Sequence, residues 1–197
     1  MAECELVMST TRSPSAAPAS NGIRTYSISN YSDQALQQVI HAKELETRDR
    51  AAAILVLAFG QQAENIARLT WDDVIVTDEL VTVQLGTIQI ALPDPQAQPW
   101  RELAANTGHE LTAAHPNTEW VFRGTSPGRH IHPGHLTTRL SKLFSTPSAR
   151  LGTLHELTKL APAAIIAETL GYSPTTIERH ATDSAAAYAK YIAARRS

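Results

Sequence analysis

One apolar stretch, about a quarter of the way along the chain, most constrains what this sequence can fold into. Residues 51–60 read AAAILVLAFG and hold no polar or charged side chain. A helix from Arg48 to Phe59, capped by Thr47 and ended by Gly60, would have a centre that is apolar on every face and must be surrounded by other elements. The stretch is too short to cross a bilayer, and no run of 18 or more apolar residues occurs. The sequence therefore predicts a buried central helix and no membrane span.

Helices and one small sheet are predicted around that central helix. Three short β-branched segments, at 74–76, 80–85 and 87–92, indicate an antiparallel meander that ends at Pro93. Amphipathic spacing and capping residues predict further helices, at 33–46, 63–69, 100–105, 136–144, 149–160, 162–170, from Ser173 onward and at 183–195. The predicted fold class is mainly α with a small antiparallel β-sheet.

The N-terminal segment has a different composition. Residues 9–22 are mostly Ser, Pro and Ala, which cannot bury enough surface to offset the entropy of ordering the chain. We therefore expect a disordered arm over residues 1–22 and one domain over residues 23–197. The only cysteine, Cys4, excludes a disulfide framework, and the acidic N-terminus is unlike a secretory signal, so a cytoplasmic location is expected.

Charge is distributed unevenly. Residues 1–119 hold 7 basic against 15 acidic residues, a balance of −8, whereas residues 120–197 hold 10 against 4, a balance of +6. No acid occurs between Trp120 and His155. This asymmetry favours a polyanionic partner such as DNA, although the two halves could also pair with each other inside the fold. The candidate DNA contacts in this window are Arg123, Arg129, Arg139, Lys142 and Arg150.

A helix-turn-helix pattern follows this window. Ala167 precedes Gly171 by four residues and Ile177 follows it by six, which suits a close helical corner with an apolar anchor. A corner of this kind would direct the early residues of its second helix toward DNA, and the alternative is an ordinary helical corner. The candidate contacts there are Thr175, Thr176, Glu178 and Arg179.

Two other groups of residues suggest chemistry. The motif HIHPGH, from His130, could indicate zinc, but no Cys, Asp or Glu lies within twenty residues on its C-terminal side, so solvated histidines are the favoured interpretation. Neither a metal nor a cofactor is expected. Tyr188 and Tyr191 could be nucleophiles, although their helical spacing is more typical of packing residues.

Four segments in order carry a resemblance to a known family. They are RDRAAAILVLAFGQQAENIARLTWDDV from Arg48, the meander ending IALP, WVFRGTSPGRHIHPGHLTTRL from Trp120, and ARLGTLHEL through LGYSPTTIERH to YAKYIAARR. Together they resemble the catalytic domain of tyrosine recombinases, or phage integrases, and most closely the degenerate integrase-like proteins of actinobacteria. The resemblance covers roughly residues 30–196 and implies that family's fold.

The resemblance also implies where catalytic residues would lie. Family members cleave DNA through a tyrosine, and two arginines, His or Trp side chains and a hairpin lysine stabilise the phosphate. Here the second arginine is Arg150, but the first is Gln62 and the hairpin from Val81 to Leu92 holds no lysine. The two histidine positions hold Pro147 and Tyr172, and the nucleophile position falls near Thr182, with Tyr188 and Tyr191 downstream. One role of five is retained.

These departures lead to one functional hypothesis and two alternatives. The favoured function is DNA binding without cleavage, in a recombination, integration or mobile-element context. The expected affinity for DNA is weak and salt-sensitive. A homo-oligomer or other recombination proteins are the candidate protein partners. The alternatives are an active recombinase that uses a displaced tyrosine, Tyr188 or Tyr191, and a protein-interaction scaffold that has lost DNA contact. Whether the chain is an enzyme stays open, and the substitutions favour that it is not.

Overall fold

The central helix lies where the sequence places it. A computed structural model describes residues 30–106, 119–126 and 128–195. Helix α2 (Thr47–Phe59) is fully buried from Ala51 to Leu57. It packs against the helix that precedes it in the chain, against the helix that follows the sheet and against helices in the second half of the chain. Gly60 ends it in the left-handed conformation, with φ of 63°, where a Cβ would meet Leu154 at 2.9 Å. A glycine is therefore required at this end of α2.

The element order confirms the predicted fold class of helices, a small sheet and further helices. Around α2 lie α1 (Asn30–His41), α3 (Ala63–Ala67), β1 (Val74–Val76), β2 (Val81–Gln84), β3 (Gln89–Leu92), α4 (Asp94–Asn106), α5 (Pro133–Leu140), α6 (Thr146–Leu160), α7 (Ala163–Leu170) and α8 (Pro174–Arg195). No helix in the described ranges is long and apolar enough to cross a membrane.

The sheet is the predicted antiparallel meander, in the order β1-β2-β3. Val74 pairs with Val83, and Val83 pairs with Ile90, so one face of the sheet carries buried β-branched residues toward the core. A short 3-10 turn precedes β1. There the Asp73 carboxylate accepts hydrogen bonds from the backbone N–H and hydroxyl of Thr70, at 2.9 and 2.8 Å. Asp73 is therefore a structural cap.

Several predicted helix ends were wrong. Thr47 is the first residue of α2 and not its cap, and its hydroxyl donates to Glu102. Helix α4 starts at Asp94 instead of Trp100, because Pro95 lies in the first turn, where no N–H is needed. Pro99 lies inside this helix, where the full burial of Ala97 and Trp100 offsets the lost hydrogen bond.

Two further predictions were wrong in the second half of the chain. Helix α5 ends at Leu140 and not at residue 144, since the chain tightens into shorter turns from Ser141, and Leu143 is left 37% exposed. The two predicted C-terminal helices form one continuous helix, α8. No glycine or proline interrupts it after Pro174, and the Thr182 hydroxyl bonds back to the carbonyl of Glu178 within the helix.

The core divides into two clusters that meet at the end of α2. The larger one surrounds α2 with residues of α1, the sheet, α4 and α5, and includes Trp100 and Phe122 packed edge to face at 6.2 Å. The smaller one joins β3 to α6, α7 and α8 through Leu154, Leu170 and Ile177. Phe59 contacts both clusters. The arm predicted at residues 1–22 and the expected onset of order near Ile23 lie outside the described residues.

Leu57→Ala is expected to lower the free energy of unfolding by about 2–5 kcal/mol, because the removed atoms leave a cavity around a fully buried position. Leu151→Ala is the matched control, since this leucine on α6 is 54% exposed and its truncation should change stability by no more than about 0.5 kcal/mol. Urea unfolding followed by circular dichroism measures both. Equal losses for the two variants would show that α2 is not the centre of the core.

Candidate functional site

Arg150 lies at the junction of three elements. It is half-buried in the first half of α6 and lies opposite Tyr172, the residue that follows the end of α7. Its Nε donates to the hydroxyl of Tyr172 at 3.3 Å, and the centre of its guanidinium lies 5.9 Å from the centroid of the Tyr172 ring. The Tyr172 hydroxyl in turn donates to the carbonyl of Gly60 at 2.5 Å. The phenol thus ties Arg150 to the end of the central helix.

The phenol of Tyr172 stays protonated near neutral pH. Burial raises its pKa, opposed by its hydrogen bond to Arg150, the positive charge of Arg150 and a hydrogen bond with Gln62. A neutral phenol can donate to Gly60 and accept from Arg150 at the same time, whereas a phenolate would lose the first bond. Gln62, Arg150 and Tyr172, which the resemblance matched to three catalytic positions, are therefore neighbours in the fold.

The predicted helical corner is present between α7 and α8. Gly171 adopts φ of 72° as the cap of α7, Ala167 and Ile177 are buried, and the backbone N–H of Tyr172 donates to the carbonyl of Ala167 at 3.0 Å. Gln61, only 1% exposed, holds the corner from the α2 side by donating to the carbonyl of Leu170 at 2.8 Å. The corner is therefore fixed to the same linker that bears Gln62.

The early residues of α8 differ in their accessibility. Thr175, Glu178 and Arg179 are exposed, whereas Thr176 is half-buried and its hydroxyl shares a 2.7 Å hydrogen bond with that of Ser173. Ser173 also accepts the backbone N–H of Thr176 at 3.3 Å, which makes it the predicted cap of α8. The corner thus presents Thr175 and Arg179 to solvent, and DNA contact by either residue stays a prediction.

A polar cluster that the sequence did not suggest lies between α6 and α8. The Ser184 hydroxyl bonds to Nδ1 of His155 at 2.5 Å and lies 3.2 Å from the hydroxyl of Thr158. His180, one turn earlier on α8, is buried with an unpartnered Nε2. The spacing of Ile177, His180 and Ser184 is the only sequence signal that could have revealed this buried stripe.

The tyrosines proposed as displaced nucleophiles lie farther along α8. Tyr188 follows His180 by eight residues, which is about 12 Å of helix at 1.5 Å per residue, and Tyr191 lies about 4.5 Å beyond it. His180 interacts electrostatically with Arg150, so this part of α8 faces the site. While α8 remains helical, the backbone of Tyr188 and Tyr191 lies two to three turns beyond His180.

The basic side chains predicted to contact DNA fall into different environments. Arg139 of α5 binds Asp49 with two nitrogens, Nε at 2.8 Å and Nη2 at 2.6 Å, and also pairs with Glu46. The hydrogen bond to Asp49, more than that to Glu46, raises the pKa of Arg139 against the opposing effect of burial. This basic residue therefore pairs with the acidic half of the chain.

The remaining basic candidates lie in the loop before α5 and in the turns that follow it. The carbonyl of Arg123 accepts a 3.1 Å hydrogen bond from Arg48, and Arg123 lines a pocket together with Arg48 and Trp71. Arg129 and Lys142 are exposed. No ion pair to Arg129 or Lys142 is found in the described part of the chain.

The loop histidines do not converge on a metal site. His132 caps α5 by accepting the N–H of Gly134 at 3.1 Å, and His130 bonds to the carbonyl of Ile131 and packs edge to face on Trp120 at 5.2 Å. Within the described ranges, no group of three or more His, Cys, Asp or Glu side chains could hold a metal ion.

Comparison with known proteins identifies the fold. No protein-family model matches the chain, and no curated protein matches it. The chain is similar to a crystal structure of XerA recombinase, with a TM-score of 0.53 and 14% identity over 76% of this chain and 58% of that one. A lambda integrase dimer bound to a COC′ core site also matches, with a TM-score of 0.45 and 14% identity over 84% of this chain and 62% of that one. The predicted tyrosine-recombinase type of fold is thereby confirmed through XerA, and the chain spans less than two thirds of either structure.

The buried histidine generates a pH-dependent prediction. Burial, and then the charge of Arg150, lowers the pKa of His180; Arg179 and His155 lower it further by smaller amounts, and the charge of Asp183 opposes them. Because the unfolded chain binds the proton more readily, stability should fall as pH drops below about 6.5, the ordinary histidine value, toward the lowered pKa. Urea unfolding between pH 7.5 and 5 should show this loss, and His180→Gln should reduce it.

His135→Gln is the matched control for this measurement, because His135 is exposed on α5. It should leave the pH dependence of the unfolding free energy unchanged. If His180→Gln has the same pH profile as the parent protein, the burial of a neutral imidazole between α6 and α8 is not the cause of the acid sensitivity.

Proposed function

We propose that this protein binds the DNA backbone through a recombinase-type fold without cleaving it, in a recombination, integration or mobile-element context. The observation that carries the proposal is the setting of Arg150, which Tyr172 holds in place beside the corner of α7 and α8. The fold shared with XerA supports a DNA-related role, because XerA is a recombinase. We therefore assign DNA binding, and no DNA cleavage, to this protein.

The chemistry of Arg150 suits a phosphate. Arginine presents its donors in a planar fork that matches two oxygens of a phosphate, and a fork held in advance loses less entropy on binding. Here Nε is engaged by the Tyr172 hydroxyl, and no carboxylate of the described ranges forms an ion pair with Arg150. A fixed guanidinium without an internal counter-charge is suited to an external anion.

The same site is poorly equipped for cleavage. Gln62 offers a neutral amide where the family resemblance implies the first arginine, and Tyr172 is a neutral phenol bonded to a carbonyl of the chain. Strands β2 and β3 and their turn hold no lysine. Losing a single fixed donor to a developing oxyanion costs about 10²–10³ in rate. Several such losses should leave no useful activity.

Some of the basic side chains are accessible to DNA, whereas others are paired with acidic side chains of the protein itself. Arg129, Lys142 and Arg179 are exposed and suit weak, salt-dependent contacts with phosphates, and Arg123 lies in the same loop as Arg129. Arg139 is neutralised by Asp49 and Glu46, which supports the scaffold alternative at that position. Binding to DNA therefore rests on fewer cations than the sequence offers, and we expect it to be weak.

The first test is DNA affinity as a function of salt. On duplex DNA, the slope of log affinity against log salt is about −0.9 per phosphate contact, so three to five contacts give roughly −3 to −4.5. Lys142→Ala and Arg150→Ala should each reduce the magnitude of the slope by about one unit. Fluorescence anisotropy with labelled duplexes at several salt concentrations measures these slopes.

Arg139→Ala is the matched control for Lys142→Ala, since the two residues are three positions apart. It should lower stability, because Asp49 and Glu46 lose their partner, and leave the slope unchanged. Arg179→Ala should change preference among DNA sequences more than it changes the slope. A wild-type protein that shows no binding at low salt would end the DNA proposal and favour the scaffold.

The second test concerns cleavage. Incubation with nicked DNA followed by denaturing electrophoresis should show no covalent complex, because the site has Gln62 in place of the first arginine and lacks the hairpin lysine. Tyr188→Phe and Tyr191→Phe should therefore have no effect on this assay. A shifted band that either substitution abolishes would establish the active-recombinase alternative and identify the nucleophile.

A further inference from the structure

The turn between β2 and β3 lies in direct backbone contact with the corner of α7 and α8. A Cβ at Gly86 would be 2.0 Å from the carbonyl oxygen of Glu168 and 2.6 Å from the backbone nitrogen of Gly171. A Cβ at Gly171 would be 2.3 Å from the carbonyl oxygen of Leu85. Real Cβ contacts are not this short, so neither position accepts a side chain while the two backbones touch.

Hydrogen bonds fix this contact. The backbone N–H of Thr87 donates to the carbonyl of Glu168 at 3.0 Å, and the Thr87 hydroxyl donates to the Glu168 carboxylate at 3.1 Å. The carbonyl of Glu168 belongs to the last turn of α7, where carbonyls lack partners within the helix. The hairpin turn therefore satisfies part of the end of α7 and holds its position.

The contact is one residue away from the phenol that holds Arg150. Gly171 is followed by Tyr172, whose hydroxyl bridges Gly60 and Arg150, so a shift of Gly171 moves the ring. Gln61 holds the other side of the corner through Leu170. The corner is thus held between the hairpin turn and the linker after α2, with Tyr172 in between.

We propose that Gly86 and Gly171 are positioning residues for Arg150: their close contact braces the corner so that Tyr172 aims the guanidinium at a DNA phosphate. This inference rests on the proposed function. It assigns to the hairpin a mechanical role that needs no lysine, since the turn acts on the anion site through Gly171 and Tyr172 and not through a charge of its own.

Gly86→Ala tests the brace, because it removes the close contact without the strain that any substitution brings at a positive φ. The expected loss of DNA affinity is about tenfold, the size of one charge-assisted contact, and Arg150→Ala should cost about as much. The double variant should lose no more than either single variant, since both act through Arg150. Gly86→Ala combined with Lys142→Ala should instead show additive losses.

Two further variants separate the brace from a general loss of stability. Gly128→Ala introduces a Cβ at φ of 67° with no atom within 4 Å, so it strains the loop backbone beside Arg129 without touching the corner and should cost less affinity than Gly86→Ala. Thr87→Val removes only the hydroxyl bond and should cost about two- to threefold. Additive losses for Gly86→Ala and Arg150→Ala, or equal losses for Gly128→Ala and Gly86→Ala, would overturn the inference.

A readout without DNA distinguishes this inference from the proposed function. In the free protein, the NMR signal of the Arg150 Nε–H reports its bond to Tyr172, and it should shift in Gly86→Ala and stay in place in Gly128→Ala. A shift without any DNA binding by the wild type would support the brace and refute the proposed function. DNA binding by the wild type with no shift in Gly86→Ala would refute the brace alone.

Discussion

The burial of one helix whose centre is wholly apolar determines the arrangement of the rest of the chain. From Ala51 to its end, α2 has no polar face, so α1, α4, α5 and α6 must cover it from different sides. Its end is as constrained as its middle, because Gly60 lies against Leu154 and its carbonyl accepts the hydroxyl of Tyr172. The candidate site therefore starts where the central helix stops, and its geometry is set by the core and not by a surface loop.

The linker after α2 connects this core to the candidate site through two adjacent amides. Gln61 is buried and fixes the corner through Leu170, whereas Gln62 is half-buried and bonds with Tyr172. A buried amide without a partner would cost free energy, so the bond from Gln61 specifies where the corner lies. Neutral groups thus hold the elements in place, and Arg150 supplies the positive charge among them.

Much of the fold could be predicted from the sequence, whereas the candidate site could be predicted only in part. The apolar run, the meander and the glycine at position 171 each impose a local structure that tertiary packing did not change. Helix ends were less predictable because Pro95 and Thr47 are compatible with more than one position in a first turn. The pairing of Arg139 with Asp49 joins residues ninety positions apart, and no periodic pattern in a sequence encodes such a contact.

That pairing changes how the charge asymmetry of the chain should be interpreted. A basic half and an acidic half predict DNA binding only where the cations remain without internal partners, and Arg139 shows that the two halves also meet inside the fold. The bond to the Tyr172 hydroxyl orients Arg150 without neutralising it, whereas the carboxylates around Arg139 do both. A neutral hydrogen-bond partner preserves the field that an anion would meet, and a charged partner cancels it. Net charge along the sequence is therefore a weaker guide to a nucleic-acid site than the identity of the group that holds each arginine.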